Sequence, residues 1–322
     1  MASSDTHPGL LHRIPRPNTG SSPLPPITAF EHSHGPQSPT KNTLIFLGGL
    51  FDGLLTVPYI PPLKKALPST YSLVEAILSS SYRQWGFSSL SEDITEIALI
   101  VSYFKEARPA GKIVLLGHST GCQQIMHYLL SQPRLPEIDG AIFQGSVSDR
   151  EAMNLSLPPS FYHAACHLAQ KYIDEDRGED ILPFSATKPI FASAPVSAKR
   201  FVSLASPGPL HEGEDDYFSS DLADERLEMT FGKLGSMGLR ISFLFGGRDQ
   251  YVPERVDKVG MVERWHEFVR RGGGVVDEGS GVVEGATHTL IEGGKGLENL
   301  VGRVVGFLER LEAGGEVEGE DV

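Results

Sequence analysis

Five consecutive residues, Gly117-His118-Ser119-Thr120-Gly121, constrain this chain more than any other stretch. They directly follow an apolar run, Ile113-Val114-Leu115-Leu116. They directly precede a segment in which Cys122, Ile125, Met126, Leu129 and Leu130 recur at spacings of three and four. The run reads as a buried strand and the spacing as an amphipathic helix. Strand, G-x-S-x-G and helix in immediate succession form a nucleophile elbow, a sharp turn that lifts a serine above a sheet. The serine is held in a strained backbone conformation that only tight packing sustains. The glycines on either side let the strand and helix backbones approach closely. The helix then aims its free N–H groups and positive dipole end at the site where an oxyanion would form.

The rest of the chain supplies the layers that such a turn needs. Thr43–Leu47 is an apolar run ending in Gly48-Gly49, a buried parallel strand followed by a glycine turn. Helix is expected at 59–67, strand at 71–78 and helix at 91–107, with Ser91 and Asp93 as candidate caps. Strands are expected at 141–143, 239–245 and 274–283, and helices from Pro253 to Arg270 and over 297–311. Alternating strand and helix predicts a mostly parallel central sheet with helices on both faces. Residues 42–149 and 236–311 form this core. Between them, 150–235 breaks the alternation with Pro-rich turns, acidic clusters and a helix at 160–173, and is read as an inserted cap or lid over the strand ends. Residues 1–41 are irregular, with edge strands around Leu10-Leu11 and Ile27–Phe30, and 312–322 form an acidic tail.

Charge and cysteine content exclude several classes. The formal net charge of -13 leaves no basic stripe for nucleic acid and opposes adhesion to an anionic membrane. No apolar run approaches the roughly 18 residues of a membrane span. Residues 1–13 lack the apolar stretch of a secretory signal. Two cysteines, Cys122 and Cys166, fit a reducing compartment better than a disulfide framework. The expectation is a cytoplasmic protein.

A serine hydroxyl attacks only with a base in reach and a third group to orient that base. His288, in Gly285-Ala286-Thr287-His288 after the last expected strand, is the candidate base. His118 neighbours the serine but is expected to point away from it, and His7, His12, His32 and His34 lie in the irregular N-terminal segment. Asp249, in Gly246-Gly247-Arg248-Asp249-Gln250-Tyr251-Val252-Pro253, is the candidate acid, with Asp149 its rival after the preceding strand. The oxyanion hole needs two backbone N–H groups. Thr120 supplies one, and Leu50, or else Gly49, supplies the other from the turn after Thr43–Leu47. Trp85 and Asp149 are candidate substrate contacts. His163 and His167 share a helix face, but the Glu of H-E-x-x-H and a third ligand are missing, so no metal is assigned. No cofactor is needed.

The order of glycine turn, GHSTG, GGRDQYVP and GATH resembles the α/β-hydrolase superfamily over residues 42–310. The phrases LLGHSTGCQ, SSSYRQWGFSSL and QGSVSDREA are similar to a cytosolic family of fungal and plant α/β-hydrolase-like proteins. That family includes the SidJ-type esterases, which open ester bonds of fusarinine siderophores inside the cell. The resemblance implies a triad of Ser119, Asp249 and His288, a serine esterase working through an acyl-enzyme, and a small-molecule ester, a hydroxamate siderophore, as its partner. The same machinery would serve a thioesterase or peptidase, and the same fold a ligand-binding protein without turnover. Acids outnumber bases between Asp149 and Glu228, which favours neutral or cationic substrates over anionic ones.

Overall fold

The computed structural model describes residues 6–17, 24–33, 41–209 and 211–314. Among them a nine-stranded sheet is built from β1 (Gly9–Ile14), β2 (Ile27–His32), β3 (Asn42–Leu47), β4 (Tyr71–Ile77), β5 (Ile113–His118), β6 (Gly140–Gln144), β7 (Arg240–Gly246), β8 (Val275–Val276) and β9 (Gly281–Val283). The order is β1-β2-β4-β3-β5-β6-β7-β8, with β9 also paired to β7. β1 and β2 run antiparallel to their neighbours, and all other pairings are parallel. Both strands fall on N-terminal runs expected to form edge strands; β1 does lie at the sheet edge, whereas β2 sits between β1 and β4 and is paired on both sides.

Strand alternation assigns each apolar residue of the inner strands to a face. Ile45, Leu47, Leu115, Ala141, Phe143 and Phe243 pack under α2 (Leu90–Ala107), α3 (Thr120–Leu130) and α10 (Lys258–Arg271). Leu44, Phe46, Val114, Leu116, Ile142 and Leu244 pack under α1 (Ile60–Ala66) and α11 (Gly294–Ala313). Each buried Leu or Phe stabilises the fold by about 1.5–3 kcal/mol, so strands covered on both faces read as unbroken apolar runs. β1 is covered far less, with Leu10 and Leu11 63% and 65% exposed.

The segment between β6 and β7 packs in two ways. α4 (Asp149–Ser156), α5 (Pro159–Asp174), α6 (Phe184–Phe191) and α7 (Ala198–Ala205) enclose an apolar cluster of their own, joined by Trp85. From Tyr217 onward the chain returns to the main core. Tyr217, Phe218 and Leu222, then residues of α8 (Asp224–Leu227), a π-helical turn (Glu228–Gly232) and α9 (Lys233–Gly235), pack with β6, β7 and α10.

Several boundaries move for local reasons. The cap of α2 is Ser89, whose hydroxyl accepts from Glu92 N while Glu92 reaches back to Ser89 N, so Ser91 and Asp93 sit inside the first turn. α10 begins five residues beyond Pro253, because Asp257 caps it by accepting from Gly260 N at 3.0 Å. The strand expected over 274–283 is split into β8 and β9. Between them Asp277 turns inward to Arg310 and Arg240, and Ser280 Oγ takes the place of a ladder acceptor for Phe243 N. α11 extends to Ala313, and residues 315–322 of the acidic tail lie outside the described residues, as does His34. No helix among the described residues is long and apolar enough to cross a membrane.

Candidate active site

The parallel strands end on one sheet edge, and every candidate side chain stands on a loop or turn leaving that edge. Ser119 follows β5 with φ 53° and ψ -122°, a conformation that L-residues adopt at a cost of about 1–3 kcal/mol. Packing holds it there. Ser119 N donates to Gln144 O at 3.0 Å, and Ser119 O accepts from Cys122 N at 2.8 Å. A Cβ on Gly121 would lie 2.2 Å from Leu47 O, and one on Gly117 would lie 2.5 Å from Gly121 C and O. Only glycine at both positions permits this crossing of strand and helix.

His288 and Asp249 meet on the loops after β9 and β7. His288 Nδ1 lies 2.7 Å from Asp249 Oδ2, and both side chains are buried. The carboxylate places the imidazole proton on Nδ1 and leaves Nε2 as the proton acceptor. Asp249 Oδ1 accepts from Tyr251 N at 3.0 Å, His288 N donates to Gln250 Oε1 at 3.2 Å, and the Tyr251 ring stands edge-on to His288 with centroids 4.8 Å apart. Gln144 ties this loop to the elbow: its Nε2 donates to His288 O at 3.2 Å while its own carbonyl holds Ser119 N. Among the described residues no hydrogen bond joins Ser119 Oγ to His288. Catalytic hydrogen bonds are often loose without substrate and tighten in the complex. Asp149 lies elsewhere, its Oδ2 accepting from Gln123 Nε2 at 3.0 Å. Burial, with Asp215 adding to it, pushes its carboxyl up to about 7.

His118 does not point away from the site. Its ring is buried 4.9 Å from that of His288, with Nδ1 2.5 Å from Gln144 Oε1 and Nε2 3.8 Å from Asp52 Oδ2. Burial, and then the adjacent His288, push its pKa down to about 4. It therefore stays neutral near pH 7 and adds no charge against an imidazolium at 288. Nothing local to the motif reveals that Gln144 and Asp52 hold its ring there.

The turn after β3 faces the serine. A Cβ on Gly49 would lie 2.7 Å from Ser119 Cβ and 3.2 Å from its Oγ. Gly49 N donates to Asp52 Oδ2 at 2.9 Å. Among the described residues, the N–H groups of Leu50 and Thr120 have no acceptor. A narrow cleft opens beside them, lined further by Trp85, Gln124 and Arg200. Trp85 both lines this cleft and packs edge-on against Phe51 and Phe191. Cys122 and Cys166 are unpaired and buried, and burial pushes both thiols up. His163 and His167 lie exposed on α5.

Comparison with known proteins gives a consistent picture. A family described as protein of unknown function (DUF1749) matches residues 1–309. The chain is 36% identical to the fusarinine C esterase sidJ of Aspergillus fumigatus, over 94% of this chain and 96% of that protein. It is 36% identical to the esterase AN6793 of Emericella nidulans, over 95% and 93% of the two chains. Among solved structures, the siderophore hydrolase EstB from Aspergillus fumigatus superposes with a TM-score of 0.82 at 34% identity, covering 96% of this chain and 98% of that one. An α/β-hydrolase fold protein of unknown function, at 19% identity and a TM-score of 0.57, shares the fold.

Proposed function

We propose, from the premise that the chain belongs to the DUF1749 family and has the α/β-hydrolase fold, that it is a serine esterase opening the ester bonds of a fusarinine-type hydroxamate siderophore. The observation that carries this reading is the Asp249–His288 pair at 2.7 Å on the edge where the elbow presents Ser119, in a chain similar to named siderophore esterases.

In this reading Ser119 Oγ attacks the ester carbonyl as His288 Nε2 takes its proton. The N–H groups of Thr120 and Leu50 receive the oxyanion. Gly49 N is already committed to Asp52, which favours Leu50 over Gly49 as the second donor. His288 returns the proton to the leaving alcohol, an acyl-enzyme remains, and water activated by the same imidazole releases the acid. Asp249 holds the tautomer and stabilises the imidazolium. Helices α4–α7 over the strand ends serve as the cap. We place the protein in the cytoplasm, where two unpaired thiols are at home and where cleavage would release iron from an imported siderophore.

The test pairs a probe with a substrate panel. A fluorophosphonate should label Ser119 and no other residue in the intact protein, read by peptide mass spectrometry. Among p-nitrophenyl esters, acyl thioesters and siderophore esters, the siderophore should give the highest kcat/KM. Absence of labelling would make the chain a ligand-binding protein, and faster turnover of thioesters would make it a thioesterase.

A further inference from the structure

The turn that faces Ser119 is held by more than its own backbone. Between the end of β3 and the start of α1, residues 48–59 form neither helix nor strand. Two of them, Phe51 and Leu55, have φ values of 68° and 60°. A residue with a Cβ persists in that region only where its surroundings over-determine it. The same turn runs so close to the nucleophile that a Cβ on Gly49 would lie 2.7 Å from Ser119 Cβ. A small shift of this backbone therefore changes how its N–H groups meet an oxyanion formed at the serine.

Two acidic side chains supply the hold, from different elements. Asp52 works within the turn: its Oδ2 accepts from Gly49 N at 2.9 Å, and its Oδ1 accepts from the Thr56 hydroxyl at 2.9 Å. Glu75 works from β4: its Oε2 accepts from Leu55 N at 2.9 Å, and its Oε1 lies 2.7 Å from Nε2 of His32 on β2. Glu75 and His32 are both buried. Packing alone would favour an apolar side chain at such a position on an inner strand, so the carboxyl group answers another need. The bonds made by Asp52 span Phe51, and the bond made by Glu75 falls on Leu55 itself, so both strained residues are pinned. Gly49 N and Leu55 N are occupied, while Leu50 N has no acceptor among the described residues.

We propose that Asp52 and Glu75 are positioning residues of the oxyanion turn. By accepting from Gly49 N and Leu55 N they fix the backbone in the conformation that leaves Leu50 N–H free to meet the oxyanion. Both act through the backbone rather than on the reacting atoms. Through His32 and Glu75, the antiparallel N-terminal strands outside the parallel core also reach the site. This inference rests on the serine-esterase reading.

The test uses the full chain and a p-nitrophenyl ester, each variant being assayed below its own unfolding midpoint. Asp52→Ala should lower kcat by about tenfold to a hundredfold with KM little changed, a smaller loss than removal of an oxyanion donor itself. Asp52→Asn keeps an acceptor for Gly49 N and should recover most of that loss. Glu75→Met, which deletes the acceptor and keeps the volume, and Glu75→Gln, which restores it, should behave as the same kind of pair. Asp52 is only partly buried, so its variants keep the test open if Glu75→Met fails to fold. Phenylboronic acid forms a tetrahedral adduct on an activated serine. Its affinity should fall in Asp52→Ala by the factor by which kcat/KM falls, an effect that a purely structural role would not produce. Unchanged kcat in Asp52→Ala would overturn the proposal. So would an equal fall in Asp52→Asn, which would trace the effect to charge rather than to the acceptor. A fall in kcat with boronate affinity intact would overturn it as well, since the turn would then not be shaping the oxyanion site. In each of these cases fluorophosphonate labelling of Ser119 in the wild-type protein leaves the esterase standing. If the wild-type protein turns over no ester and Ser119 is not labelled, both readings fall together.

Discussion

The edge of the sheet and the segment between β6 and β7 are built on different principles. At the edge, each candidate side chain is carried on a short turn, the elbow between Gly117 and Gly121, the turn after β7 for Asp249 and the loop after β9 for His288, and these turns are tied to one another through Gln144 and Gln250. In the segment, side chains are placed by partners far along the chain. Arg150 reaches Asp216 and Asp221, Arg200 reaches Asp215, and Ser148 Oγ lies 2.6 Å from Ser219 Oγ.

The sharpest way to break this contrast is at the nucleophile. Ser119→Ala should lower kcat by on the order of 10⁶ and abolish fluorophosphonate labelling, as in serine hydrolases whose triads act as a unit. Retained activity would move the chemistry off the elbow altogether. Next in size is the acid. Asp249→Asn should lower kcat by up to about 10⁴, because the imidazole would lose its tautomer and its counter-charge. Asp149→Asn, bonded to Gln123 and not to His288, should cost less than about tenfold. The opposite ranking would place the acid in the segment rather than on the edge. Gly49→Ala comes third. The added methyl would press on Ser119 Cβ and Oγ, so kcat should fall by about 10²–10³, the scale of losing an oxyanion donor, with thermal unfolding little changed.

The same contrast explains what could be read in advance. The parallel core was legible because inner strands buried on both faces carry continuous apolar runs, and helices such as α2 carry a clear period. Serine, histidine and acid were legible as candidates because each sits on a loop after an expected strand. His118 was misread because its surroundings come from Gln144 and Asp52, 26 residues away along the chain for Gln144. The split of β8 from β9 was hidden because Asp277 is drawn inward by Arg310, 33 residues further on. Arg200 gave no signal at all: an arginine beside Lys199 in a helix of mostly apolar residues becomes a cleft residue only once α7 packs beside the turn after β3.

Buried carboxyls in the segment make a smaller, testable difference. Asp149 faces Asp215, Asp216, Arg200 and Gln123, and its carboxyl is pushed up to about 7, chiefly by burial. In the unfolded chain it titrates near 3.9. Between those values the folded protein keeps a proton that the unfolded chain has lost, so stability falls as pH rises through this window. Asp149→Asn should be close to neutral in chemical denaturation at pH 4 and stabilising by up to about 4 kcal/mol above pH 7. Asp93, pushed up to about 6 by burial, contributes a slope of the same sign that the variant retains. A flat difference between the two proteins from pH 4 to pH 8 would show that Asp149 is already ionised in the fold.

The smallest expected effect concerns the field of the segment on substrates outside the cleft. Acids outnumber bases from Asp149 to Glu228, but the most buried of them are neutralised in place: Asp215 by Arg200, and Asp216 by Arg150. What remains is exposed charge, screened within about 10 Å at 0.1 M salt. A fusarinine with free amino groups should therefore be preferred over its acetylated form by only a few-fold in kcat/KM at low salt, and the preference should shrink at 0.5 M. A preference that persists at high salt would trace to short-range contacts rather than to net charge. Equal values at both salts would show that pairing within the segment has cancelled its field.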